Sequence, residues 1–492
     1  MPDAAPLPFR YRALRAVVRA VVRLFFRDVA VAGTHHVPQD RGGLLVAWHP
    51  NGLIDPALIL STVPGRIVFG ARDGLLRWPV VGPMMRALGT VPIYRAVDQD
   101  AMTPEERRAA NDRSLGALAD EIAGGSFSAL FPEGVSHDRP HLSEIRSGAA
   151  RLYLQARERT PAGRPPPVIV PVGLHYEDKD TFRTDVLVAF HRPLDLAEMD
   201  LDAPDAPDVL TDAIEEALVA AVHPTASWRL HALMHRARTL IAAEAAARRG
   251  ERPAPETVVS RTAGFAQIWE GYRVRSETHP DEIEALRQDI AAYHHALHRL
   301  GLDDGALDRP PRLGSAVLVV GAIAQAVAVA LLLPPLLLVG FAVNAPPYWA
   351  LKGVALLAAK AAKDAATVKI FGGLVLFPLA WATAGLLAAL GVVRLADVMP
   401  DLPEAPVAVG LVIAALSALG GVAALLYSEI AVGAWRAIRV RVARWRHYHQ
   451  IDGLRRRRAS LHDRFLALAD GLDLPTGVVP AERRDSSVRS GG

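Results

Sequence analysis

The amino-acid sequence predicts an α/β domain, then a helical spacer, then an α-helical transmembrane region. Three observations carry that expectation. Between Gly43 and Leu196 short β-like apolar runs alternate with helix-like stretches. Residues 209 to 301 read as several polar helices. Residues 313 to 343, 370 to 393 and 405 to 428 carry no charge, and each stretch exceeds the roughly 20 residues that span a hydrocarbon core. Composition agrees: of 492 residues 51% are hydrophobic and 22% charged, and mean hydropathy is positive. A purely soluble chain is therefore disfavoured. There is no cysteine, which excludes disulfides, thiolate metal sites and cysteine nucleophiles. Only five of the 55 basic residues are Lys, a bias that looks like GC-rich, bacterial coding. A net charge of +3 is too mild to point to nucleic acid.

The elements follow in chain order. In residues 1–30, Arg12, Arg15, Arg19, Arg23 and Arg27 recur at three- or four-residue steps among Leu, Val and Phe, which makes one basic stripe on an amphipathic helix. Such a helix can lie on a membrane surface with its Arg heads on anionic phosphates; a helix packed on its own domain would show the same pattern. Residues 31–200 form the α/β domain, its strands expected at Leu44 to Ala47, Arg66 to Gly70, Ser128 to Phe131, Val168 to Val172 and Val186 to Phe190. Residues 201–312 form the spacer, in which Pro280, Asp281, Glu282 and Glu284 mark a helix start.

The membrane region covers residues 313–430. Pro334 and Pro335 interrupt its first apolar stretch. Four of the five Lys lie in 350–369, acids dominate 394–404, and the tail 431–492 is dense in Arg. The positive-inside preference then favours a Pro-hinged hairpin at 313–349, an interfacial helix at 350–369 and spans at 370–393 and 405–428. Both termini and the α/β domain fall on the cytoplasmic side of what would be a bacterial inner membrane. The Arg runs at 436–446 and 455–458 begin directly after a span, so anionic lipid heads are the simpler partner than nucleic acid. The Arg-, Ser- and Gly-rich end is expected to be disordered.

Chemistry concentrates in Trp48-His49-Pro50-Asn51-Gly52-Leu53-Ile54-Asp55-Pro56. Asp55 and Pro56 read as an N-cap and first-turn pair. A His on the loop before that helix, with a carboxylate a few residues on, has the geometry of a base whose second ring nitrogen is held by an acid. By itself the pair is no stronger than a capping or surface arrangement.

Four blocks in order change the balance. His49 to Asp55, Gly89-Thr90-Val91-Pro92-Ile93-Tyr94-Arg95, Phe131-Pro132-Glu133-Gly134-Val135-Ser136-His137-Asp138-Arg139 and Val168-Ile169-Val170-Pro171-Val172 together resemble the glycerolipid acyltransferases, the lysophosphatidic acid acyltransferase superfamily. The similarity covers residues 30 to 195 and implies a mixed sheet flanked by helices. Two departures stand out: five residues separate His49 from Asp55 where four are usual, and Val135-Ser136-His137 replaces the common Thr-Arg. Both look like the glycerol 3-phosphate and dihydroxyacetone phosphate acyltransferase branch. One extra residue would turn a regular helix by about 100°, so the insertion has to be absorbed in the loop, which Gly52 allows.

The resemblance implies that His49, oriented by Asp55, takes the proton from an acceptor hydroxyl as it attacks the thioester of acyl-CoA or acyl carrier protein, with no acyl-enzyme. It implies substrate contacts from Arg95, the first choice for the acceptor phosphate, and from Glu133 and Gly134. Arg72, Ser136, His137, Arg139 and Arg146 are weaker candidates, and Pro171 is expected to shape a strand turn or an acyl-chain wall. No metal or other cofactor is implied, and no phosphate-loop, zinc-helix or dinucleotide signature is present. The acceptor would be glycerol 3-phosphate or a related phosphorylated three-carbon compound; lysophosphatidic acid is the alternative. A rival from another class is a non-catalytic lipid-binding membrane protein with a degenerate domain of this kind.

Overall fold

The computed structural model describes residues 7–77, 81–93, 103–179, 181–251, 256–308, 334–358, 365–396, 398 and 405–479. The chain forms two compact units: Met1–Arg238 with Pro255–Thr278 and Gly471–Gly492, and Thr239–Ala254 with His279–Asp470.

The first unit begins with α1 (Phe9–Phe25), β1 (Asp28–Ala32), β2 (Gly43–Ala47), α2 (Ile54–Thr62), β3 (Ile67–Arg72), α3 (Asp73–Leu76), α4 (Val81–Ala87) and β4 (Val91–Ile93). It continues through α5 (Pro104–Ala123), β5 (Phe127–Leu130), α6 (Gly148–Arg159), β6 (Val168–Tyr176), β7 (Asp185–Phe190), α7 (Ala206–Val222), the start of α8 (Trp228–Arg248) and α9 (Val258–Thr278). Among the described residues the strands make one mixed sheet ordered β1-β7-β6-β2-β5-β3-β4, parallel throughout except between β6 and β7. All of β2 is buried, which is why Gly43 to Ala47 reads as an unbroken apolar run. The carboxyl ends of β2 and β5 lead into the His49 and Phe131 blocks, and ligands of open parallel sheets bind at such carboxyl ends.

Pro171 makes no turn. Its strand pairs in parallel with β2 up to Val172 and then runs antiparallel to β7 as far as Tyr176. Pro171 still accepts the His191 N–H at 2.9 Å but has no N–H to return, and the β7 ladder ends there. The first part of the expected spacer is also not a spacer: Leu210, Ile214 and Leu218 of α7 pack in one core with Leu44, Val46, Leu118 and Leu152.

The arginine stripe of α1 is largely spent inside the unit. Arg15 donates to the Gly65 carbonyl at 3.2 Å and to that of Val63, and Arg19 to that of Ser61 at 3.0 Å. These are open carbonyls at the end of α2, where cations are favoured. Arg27 makes a two-pronged bond to Asp185 at 2.8 and 2.7 Å. Tyr11, Val18, Val22 and Phe25 face the core, while Phe9, Val17 and Leu24 stay exposed between Arg12 and Arg23.

A histidine layer joins β6, β7, α7, α8 and α9. His175 and His223 lie 6.1 Å apart, His231 and His235 approach Nε2 to Nε2 at 3.2 Å, and Phe265 and Trp269 pack against them. Burial pushes His191, His223 and His231 down to about 4 and His235 to about 3, the last also through neighbouring positive charge.

The second unit holds the rest of α8, α10 (Pro280–Arg299), α11 (Pro334–Ala358), α12 (Ala365–Ala396), α13 (Pro406–Arg446) and α14 (Tyr448–Ala469). Gly372–Ala396 and Pro406–Leu425 are long and apolar enough to cross a membrane. Their leucines face outward, Leu379, Leu386, Leu411 and Leu419 among them, while the polar link is internal: Asn344 donates to the Gly340 and Ser417 carbonyls at 2.7 and 2.9 Å and accepts from Trp381 at 2.9 Å. A Cβ on Gly340 would come within 2.5 Å of Gly420 backbone, and one on Gly385 within 2.6 Å of the Gly410 carbonyl. Small residues and buried amides are how helices pack in lipid, where no hydrophobic force distinguishes partner from solvent.

The expected interfacial helix at 350–369 is not a separate element: α11 runs through 350–358, α12 starts at 365, and 359–364 lie outside the described residues, as do the first limb of the hairpin and the basic chain end. The tail is folded as far as residue 479. Arg458, 1% exposed, pairs with Glu244 at 2.8 Å and Asp308 at 2.7 Å, and Arg455 donates to the Leu307 carbonyl. Neither guanidinium is left for lipid.

The histidine layer sets an acid limit. His191, His223 and His231 bind protons in the unfolded chain near pH 6.5 but in the folded unit only near pH 4, so the unfolded state holds more protons between those values and stability rises with pH there. The thermal midpoint of the detergent-solubilised protein is expected to be level above pH 6.5 and to fall by on the order of 10 °C towards pH 4. A midpoint flat across that window would contradict the layer's neutral packing.

Candidate active site

His49 leaves the buried end of β2 and is held on every side. Its backbone N–H donates to Glu133 Oε1 at 3.0 Å, its carbonyl accepts from the His137 backbone N–H at 3.1 Å, and its ring stacks on Phe131 at 4.1 Å and 16°. The Nδ1 edge meets Asp55 Oδ2 at 2.8 Å. Asp55 is fully buried, whereas the His49 side chain keeps 18% exposure.

The helix starts at Ile54 with Leu53 as its N-cap, so Asp55 is not the cap expected. Its carboxylate nevertheless turns back to accept the Asn51 backbone N–H at 2.7 Å on Oδ2, and Tyr176 donates its hydroxyl to Oδ1. The extra residue between His49 and Asp55 is taken up at Gly52, whose φ of +45° is open to glycine at no steric cost.

An ionised carboxylate only accepts hydrogen bonds, so Nδ1 carries a proton in this pair, and Nε2 has no hydrogen-bond partner among the described residues. In the neutral form of this tautomer Nε2 can act as a general base, its developing positive charge facing a buried carboxylate. Among the described residues no group of three or more His, Asp or Glu could hold a metal.

Residues 28–175 match the family model described as Acyltransferase. Glycerol-3-phosphate O-acyltransferase 2 of Saccharomyces cerevisiae is 32% identical over 84 residues, 17% of this chain and 11% of that protein. Glycerol-3-phosphate O-acyltransferase 1 of the same yeast is 26% identical over 192 residues, 38% of this chain and 24% of that protein. The chain thus spans under a quarter of either relative. The solved 1-acyl-sn-glycerophosphate acyltransferase of Thermotoga maritima aligns over 45% of this chain and 83% of its own at 21% identity, with a TM-score of 0.31.

Within residues 28–175 the expected substrate contacts divide. Glu133, 1% exposed, is fully occupied: beside His49 N–H it accepts from the Ser143 N–H at 2.8 Å and from His137 Nε2. Burial raises its pKa, but these hydrogen bonds outweigh that and hold it below the ordinary carboxylate range. The other His137 nitrogen accepts the Arg139 N–H at 3.2 Å. Glu133 and His137 therefore brace the His49 loop. Gly134, at φ +71°, turns the chain under the Arg146 guanidinium, which would stand 3.4 Å from a Cβ there. Ser136 is partly exposed, and Arg139 and Arg146 are exposed. The Arg72 side chain and all of Arg95 lie outside the described residues.

Two residues escaped sequence reasoning. Tyr176 ends β6 five residues beyond Pro171, where continued strand alternation was the available signal. Lys179, one of five lysines, donates to the Pro50 carbonyl at 3.0 Å and pairs with Asp138 at 2.6 Å, while its own carbonyl accepts Asn51 Nδ2 at 3.1 Å. It ties the lengthened loop to the Phe-Pro-Glu-Gly block.

Replacing His49 with Ala is expected to lower acyl transfer by about 10²- to 10⁴-fold, measured as labelled ester formed, with membrane integration unchanged; surviving turnover would mean that another base acts. Glu133→Gln keeps the shape but weakens the brace, so both turnover and thermal midpoint should drop. Loss of acceptor affinity alone would return Glu133 to substrate binding.

Proposed function

We propose that the chain is a membrane-bound O-acyltransferase that moves a fatty acyl group from acyl-CoA or acyl carrier protein to a hydroxyl of glycerol 3-phosphate or a close phosphorylated relative. The observation that carries this is the partly exposed His49 ring, held through Nδ1 by the buried Asp55 carboxylate. As the acceptor oxygen attacks the thioester carbonyl, His49 takes its proton; when the tetrahedral intermediate collapses, that proton goes to the departing thiolate. Holding both reactants at one imidazole makes the encounter effectively unimolecular. A degenerate, non-catalytic domain is disfavoured because both partners of the pair are present and in contact. The names of the two yeast relatives and the Val135-Ser136-His137 departure favour the glycerol 3-phosphate branch over lysophosphatidic acid.

The acceptor phosphate needs a cation at the mouth of the site. The Arg146 guanidinium lies over Gly134 on an exposed residue, with no side-chain hydrogen bond or ion pair among the described residues, and its planar fork suits phosphate. Arg95 remains part of this proposal from its sequence block. Membrane attachment comes from the two apolar helices and from the exposed Phe9, Val17 and Leu24 edge of α1 with Arg12 and Arg23, a composition that fits an anionic lipid surface. The active domain and both termini face the cytoplasm.

Labelled acyl-CoA and acyl carrier protein, offered to purified protein with glycerol 3-phosphate, dihydroxyacetone phosphate and lysophosphatidic acid in parallel, should yield ester chiefly on glycerol 3-phosphate; ester on lysophosphatidic acid alone would overturn the acceptor assignment. Arg146→Ala, and separately Arg95→Ala, should raise KM for the phosphorylated acceptor by about 10- to 100-fold, and an equal loss with an unphosphorylated alcohol would contradict a phosphate role. Because the chain has no cysteine, single cysteines report topology cleanly. A membrane-impermeant thiol reagent added outside should label position 398 and spare 358; the reverse would refute the hairpin arrangement.

A further inference from the structure

We propose that Tyr176 is a positioning residue for acyl transfer, acting on His49 through the Asp55 carboxylate. The inference rests on His49 being the base. The terminal torsion of an aspartate is broad and two-fold, so burial alone leaves the direction of the carboxylate plane open. Here it is held from both ends: Asn51 N–H and His49 Nδ1 share Oδ2, and the Tyr176 hydroxyl takes Oδ1. The three donors come from the loop, the end of β2 and the end of β6, so the plane of the imidazole is referred to two neighbouring strands of the sheet. Tyr176 is in turn backed by the Phe26 ring at 6.0 Å, itself 1% exposed just beyond α1.

The hydroxyl is a permanent donor. Burial, with the adjacent Asp55 charge and the bond to it, pushes the Tyr176 pKa well above its usual value, so it stays protonated wherever the enzyme works. A carboxylate oxygen in a fully buried side chain would otherwise lack a partner, a costly omission for a charged group. Without the hydroxyl, Asp55 can rotate towards other donors and the imidazole loses its fixed aim at the acceptor.

Tyr176→Phe removes one oxygen and keeps the ring against Phe26. In the full-length protein kcat is expected to fall about tenfold, as for loss of a charge-assisted hydrogen bond, with KM for donor and acceptor unchanged and the thermal midpoint modestly lowered. The deciding measurement is a double-mutant cycle. In an Asp55→Ala background, where residual transfer is followed with high enzyme concentration, Tyr176→Phe should have no further effect. Equal losses in both backgrounds would show that Tyr176 does not act through Asp55, and an active wild type with an unchanged Tyr176→Phe variant would overturn this proposal alone. A wild type that forms no ester would overturn the functional reading and this proposal with it.

Discussion

A carboxylate with no access to water has to be answered by donors, and in this protein that requirement organises the site. Asp55 is buried completely, yet each of its oxygens is met, by the Asn51 backbone, by His49 and by Tyr176. Removing a charge from water costs several kcal/mol, and the cost is offset only while all three donors are in place. The same arrangement holds His49 by Nδ1 and leaves Nε2 without a hydrogen-bond partner among the described residues. Stability of the loop and readiness for chemistry are therefore one property.

The surrounding residues extend that constraint. Glu133 and His137 hold the His49 backbone from the block after β5, and Lys179 with Asp138 closes the loop that contains the extra residue. The lengthened spacing between His49 and Asp55 leaves the first turn of α2 intact because Gly52 takes a backbone angle that other residues avoid.

Much of this was legible in the sequence. The buried parallel strands appear as uninterrupted apolar runs, and the His and Asp are close enough in sequence for a loop to join them. What failed to show was long-range. Tyr176 reaches Asp55 across 121 residues, a contact that no local pattern encodes. Glu133 looked like a ligand for substrate because a carboxylate after a strand is ordinarily exposed; only the fold reveals that three donors converge on it. Arginine was misleading in the same way. A stripe with helical spacing reads as a lipid-facing surface, but Arg15 and Arg19 reach carbonyls at the end of α2, while Arg458 is buried between two carboxylates. Periodicity tells which side chains share a face, not what lies opposite them.

The account stands or falls on the charge of Asp55. Asp55→Asn preserves shape and hydrogen bonding: the amide oxygen can accept from Asn51 and His49 while the amide nitrogen donates to the Tyr176 oxygen. Only the negative charge that steadies the imidazolium is lost. The kcat of this variant, measured on protein whose thermal midpoint and membrane integration match the wild type, is expected to be about 10²- to 10⁴-fold lower; a kcat within a few-fold of wild type would contradict the assignment of His49 and Asp55 as the catalytic pair.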